Sequence, residues 1–143
     1  MNTQYELTNF TKEINGITFH QLGTLCDYEV KGKKIDKHEL HGWATSLEDI
    51  SNNVIIGKDT FIYPGVTICE NTIINSGCTI DRGVMISTNV HIEANVEIGR
   101  GTTIEADVLI SNDVSIGCGA TIGWGICIND RITISNGEIV TKI

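Results

Sequence analysis

Isoleucine stands at positions 56, 62, 68, 74, 80, 86, 92, 98, 104, 110, 116, 122, 128 and 134, every sixth residue without a slip, and Val140 fills the next place. Two residues before each isoleucine runs a second, mostly smaller series: Val54, Thr60, Val66, Thr72, Cys78, Val84, Val90, Val96, Thr102, Val108, Val114, Ala120, Ile126 and Ile132. Residues two apart in a strand point the same way, so both series face inward. Three residues separate each isoleucine from the next strand. The third of them is Gly, Asn or Asp in thirteen of fourteen cases, Arg131 being the departure. Those residues tolerate the positive φ of a sharp corner. A helix would need apolar returns at three and four, and a hairpin sheet would need longer strands. Strands this short with a corner every six residues wind into a coil, so the repeat predicts an all-β solenoid.

From Val54 to Val140, about 60% of the chain, the pattern resembles the hexapeptide-repeat family. The resemblance implies a left-handed parallel β-helix with three hexads per triangular coil, hence about five coils. The left hand rests on the resemblance, because the spacing itself shows only a coil. Glu138 interrupts the smaller inward series, so the last rung is expected to fray or to be capped by charge.

Residues 1–53 lack the six-residue period. "YELTNF", "GITFHQL" and "YEVKGKKI" read as short strands between Gly- and Lys-bearing turns. An open coil end exposes unpaired backbone groups and a column of isoleucine. The expected division is therefore a β-rich N-terminal cap over 1–53 and a β-helix over 54–143, with Phe19, Tyr28 and Trp43 closing the core. "GTLCDYEVKGKK" and "HGWATSLEDIS" are similar to the N-terminal region of bacterial and prophage β-helix proteins. There a Gly-Gly-Trp-like turn and an Asn-Leu-Ser-like step precede the repeats, where this chain has His41-Gly42-Trp43 and Asp49-Ile50-Ser51.

Charge narrows the partners. A net charge of −8 argues against nucleic acid and anionic membranes, which demand a basic surface. The one basic cluster, "KGKK" at 31–34, reads as a solvated strand edge or turn. No stretch of about eighteen apolar residues is present to span a membrane, and the first residues lack the pattern of a secretory signal. Five cysteines, an odd number without a CxxC pair, argue against a disulfide framework or structural zinc. A reducing cytoplasm is the expected compartment.

The residue between the two inward positions of each hexad points outward, and every third hexad stacks on the same face. The first face carries Phe61, Thr79, Glu97, Ser115 and Thr133; the second Thr67, Met85, Thr103, Thr121 and Ile139; the third Ile55, Ile73, His91, Leu109 and Cys127. Only the third is almost wholly apolar, and such a surface calls for cover. A neighbouring subunit and the N-terminal segment folded back are the two candidates. Hexapeptide-repeat proteins pack side by side as trimers, so the resemblance favours a homotrimer through this third face. End-on self-association through the last coil is a further expectation.

His91 lies in that face. In acyltransferases resembling this chain the active site lies between subunits. A histidine acts there as general base toward an acceptor hydroxyl or amine, with acetyl-CoA or another acyl-CoA as cosubstrate. Imidazole suits that role near neutral pH. Three features weigh against it. No inserted loop interrupts 54–140, "GEIVTKI" matches only the opening of those enzymes' closing segment, and Glu93 and Glu97 are read as too far along the chain to orient the ring. The expectation is therefore an oligomeric scaffold without a clear active site or certain cofactor, and the alternative is a trimeric acyl-CoA-dependent acyltransferase with His91 as base. A γ-class carbonic anhydrase would need three His ligands, and His91 is alone in the repeat; His38 and His41 lack a third partner. No GxGxxG or P-loop is present.

Overall fold

The computed structural model describes residues 2–142. Every regular element among them is a strand, so no helix is long and apolar enough to cross a membrane. Fifteen short strands between Val54 and Val140 wind into a parallel β-helix of about five coils, in accord with the left hand that the resemblance implies. Stacking follows an eighteen-residue register: Ile55 pairs with Ile73, Ile73 with His91, His91 with Leu109, and Leu109 with Cys127. The other two outward columns pair in the same way.

Corner chemistry explains the winding. Asp59, Asn71, Asn89, Asn95, Asp107 and Asp113 adopt φ between 58° and 60°, and Arg131 is forced to 61°. Inside, the isoleucine column from Ile56 to Ile122 is almost completely buried. Each such side chain contributes roughly 1.5–3 kcal/mol of hydrophobic stabilisation. Threonines in the smaller series add polar ties between coils. The Thr102 hydroxyl donates to the Gly117 carbonyl at 2.7 Å and accepts from the Ala120 amide at 3.2 Å.

The eighteen-residue register reaches back beyond Val54. Trp43 and Ala44 pair in parallel with Phe61 and Ile62, and Ile50 bridges Ile68. Ala44 and Ile50 thus occupy the two isoleucine positions preceding Ile56. Five strands lie upstream: β1 (Tyr5–Ile14), β2 (Ile17–Thr24), β3 (Tyr28–Val30), β4 (Lys33–Ile35) and β5 (Leu40–Ala44). β1 and β2 form an antiparallel hairpin that continues the first face through β5, covering the edge of the first coil.

The expected closing trio is corrected. Tyr5, Leu22, Ala44 and Ile50 complete the end of the coil core, joined by Leu47. Phe19, Tyr28 and Trp43 cover outer surfaces instead. Trp43 immediately precedes the inward Ala44, so strand alternation turns it outward, where it stacks on Phe61 at 6.0 Å. Phe19 packs edge-on against Phe61 and Tyr63. At the other end, Glu138 is exposed, and its carboxylate accepts from the Ser135 amide at 2.9 Å.

Candidate functional site

The third face is divided by the β3–β4 hairpin. Val30, Ile35 and Tyr28 pack on Ile55 and Ile73, which are only 2% and 4% exposed. A subunit contact along the whole column is therefore corrected. Its upper half is covered from within the chain, because an apolar hairpin face is supplied locally by residues 28–35. Below, Leu109 is 38% exposed and Cys127 is exposed. Met85, Trp124 and Ile139 are exposed as well, on the second face and on the corner joining it to the third.

His91 lies at the boundary between the covered and uncovered halves. Its Nε2 is 2.5 Å from the Glu93 carboxylate, with the two side chains 36% and 33% exposed. The sequence reading found no orienting carboxylate here, and this is corrected. Ile92 points inward, so His91 and Glu93, two apart, project to the same side. The corner that begins at Glu93 is pinned from several directions. The Glu93 amide donates to the Ile110 carbonyl at 2.8 Å, the buried Cys78 thiol donates to the Glu93 carbonyl at 3.1 Å, and the Ala94 amide donates to Asn112 Oδ1 at 3.0 Å. Period-two parity within the hexad was the signal for this pair.

A second histidine is organised without any local sequence signal. His41, 6% exposed, has Nδ1 2.5 Å from the Tyr5 hydroxyl and Nε2 2.9 Å from Glu39 Oε1. The Tyr5 oxygen accepts from the Ile56 amide at 3.0 Å, so its own proton is directed at Nδ1. His41 is then neutral with its proton on Nε2, donating to Glu39. Burial holds its pKa below the ordinary histidine value, and the hydrogen bond from His41 lowers that of Glu39. Burial raises Tyr5 well above the usual phenol range and Tyr28 to about 12. The Tyr5–His41–Glu39 chain thus clamps cap to coil. With both nitrogens of His41 engaged, no His38–His41 metal pair forms, and the described residues contain no metal-competent cluster.

Beside Glu39 and His41 opens a cavity of about 220 Å³, also lined by Lys33, Lys34, Lys58 and Ser76, with Ile55 in its wall. Gly57 borders it where coils meet closely. A Cβ there would lie 2.7 Å from the backbone of Asn75 and Ser76, so the wall is built of backbone. Ile55 and His91 are two coils apart on one face, about 10 Å at strand spacing. The "KGKK" cluster is the exposed turn and strand start of the β3–β4 hairpin, as expected, on a hairpin whose apolar side packs on the coil.

The family profile described as "Bacterial transferase hexapeptide (six repeats)" matches residues 49–82 and 77–112. No curated protein sequence matches the chain. Solved structures similar to it include a mutant GDP-perosamine N-acetyltransferase from Caulobacter crescentus in complex with CoA and GDP-perosamine (14% identity, TM-score 0.36, covering 67% of this chain and 51% of that one). Another is the acetyltransferase domain of PglB from Neisseria gonorrhoeae in complex with acetyl coenzyme A (21% identity, TM-score 0.32, covering 67% and 53%). The chain spans about half the length of these structures.

Proposed function

We propose that this hexapeptide-repeat protein is an acyl-CoA-dependent transferase that works as a side-by-side trimer, with His91 as general base. The observation that carries the reading is the His91–Glu93 pair at the edge of an uncovered apolar stretch. His91 removes a proton from an acceptor amine or hydroxyl as the acceptor attacks the thioester carbonyl. A C–N or C–O bond forms, the C–S bond breaks, and the departing CoA thiolate takes up a proton. Glu93 orients the ring and stabilises the imidazolium. A neighbouring subunit seated on Leu109, Cys127 and Trp124 would bury the exposed side of His91 and form the other wall of the site. The five free cysteines suit a reducing compartment.

The test is release of free CoA from acetyl-CoA with a panel of small amines and alcohols. General acid–base catalysis contributes about 10²–10⁴-fold, so His91→Ala should lower kcat/KM by at least about 100-fold with unchanged oligomer mass. Glu93→Gln should lower kcat while KM for acetyl-CoA stays put. Activity surviving in His91→Ala would end the assignment.

A scaffold role is the second reading, favoured by the unbroken repeat from Val54 to Val140, where no inserted loop builds a pocket. A folded trimer inert toward every acceptor would bring it forward.

A further inference from the structure

We propose that the cavity between the β3–β4 hairpin and the upper coils binds the phosphoryl or pyrophosphoryl group of a small molecule, through Lys33, Lys34, Lys58 and Ser76. Three lysines from two separate parts of the chain line this one cavity, in a protein whose net charge is −8. With acidic residues in such excess, surface lysines have ample opportunity to pair. Among the described residues, the ion pairs within 4.0 Å involve His41 and His91, and no lysine or arginine takes part in one, these three included.

Glu39 is the one carboxylate in the lining, and the charge of Lys58 is among the causes that lower its pKa. Its Oε1 accepts from His41 at 2.9 Å and its Oε2 from the Asp36 amide at 3.0 Å. His41, neutral and hydrogen-bonded at both nitrogens, adds no charge to the lining. Three lysines against one carboxylate leave the lining net positive, with the Ser76 hydroxyl beside them. A group with several anionic oxygens meets that arrangement, each ammonium supplying a charge-assisted hydrogen bond.

Size selects the ligand class. A volume of about 220 Å³ lies below the roughly 300–1,000 Å³ of pockets that enclose drug-sized ligands. It suits a phosphoryl or pyrophosphoryl head, with the rest of the molecule outside along the third face toward His91. A nucleic acid is disfavoured, because the surroundings carry the wrong charge for a long polyanion. Binding of this kind stands apart from acyl transfer and can be measured without it.

The experiment is calorimetric titration of inorganic pyrophosphate into the full chain at low salt. One site per chain is expected. Lys58→Gln and the double variant Lys33→Gln/Lys34→Gln should each weaken it about tenfold or more. All three lysines are exposed, so folding should persist, which the thermal midpoint checks. The charge-matched control Arg82→Gln/Arg100→Gln, at a distant corner, should bind as the unaltered protein does. Absence of binding at millimolar pyrophosphate, or equal weakening in the control, would overturn the assignment. Two competitors then separate the sources of the same chemistry. Displacement by glucose 6-phosphate supports a phosphorylated metabolite, and displacement by CoA alone supports the phosphates of the cosubstrate.

Discussion

Tyr5→Phe removes a single oxygen and should loosen the whole cap. That oxygen accepts from the Ile56 amide at 3.0 Å and lies 2.5 Å from His41 Nδ1, in a residue only 2% exposed. Phenylalanine fills the same space, so packing is retained and the polar loss is isolated. Two buried groups are left without partners, at about 1–3 kcal/mol each. Partial relaxation of the His41 ring leaves an expected loss of about 2–4 kcal/mol. At about 3 °C per kcal/mol for a chain of this length, the thermal midpoint should fall by about 6–12 °C at matched protein concentration. Tyr28→Phe is the internal comparison. It loses one hydrogen bond, to the Val54 carbonyl at 3.0 Å, and should cost about 1 kcal/mol. Urea unfolding of both variants measures the difference. A Tyr5→Phe loss below about 0.5 kcal/mol, or one no larger than that of Tyr28→Phe, would refute the clamp.

Two further outcomes follow from the same geometry. Because burial keeps the folded-state pKa of His41 below its ordinary 6.5, the unfolded chain takes up a proton that the folded chain declines. Stability is then fully present above about pH 6.5 and falls as pH drops below it, by up to about 1.4 kcal/mol per pH unit. Glu39, also lowered, adds loss in the same direction at lower pH, where its own carboxylate protonates. The groups facing His41 are Glu39, Lys33, Lys58 and Tyr5. His41→Gln should flatten the decline of the thermal midpoint between pH 7.5 and 5.5, and an unchanged decline would show that another group causes it. Arg131, held at φ 61°, carries a Cβ in a conformation that asparagine adopts more readily. Arg131→Asn should raise stability by about 0.5–1 kcal/mol in urea unfolding, and a loss would mean that its side chain makes a compensating contact.

The coil was legible because each hexad repeats one environment. Inward Ile86, Ile92 and Ile98 report the same rule, and the corners at Asn89, Asn95 and Gly101 report another. The cap has no such redundancy. Tyr5 meets His41 and Ile56, 36 and 51 residues away, and nothing local in the sequence marks those pairings. Trp43 could have been placed by parity, since it precedes the isoleucine position held by Ala44, but alanine there concealed the register. The same holds for Glu93. Counting along the chain put it at the corner, whereas alternation around inward Ile92 puts it beside His91. The cover of Ile55 and Ile73 by residues 28–35 was one of two readings open from sequence, and only packing could choose between them. Lys58 likewise joins Lys33 and Lys34 through the fold alone.

Calorimetric titration of acetyl-CoA into the purified protein, with its mass in solution recorded, bears most directly on whether the His91–Glu93 pair serves a transferase. The proposed function predicts micromolar binding at one site per chain on a trimer. A well-folded trimer that binds neither acetyl-CoA nor free CoA would contradict it and leave His91 a residue of a scaffold surface.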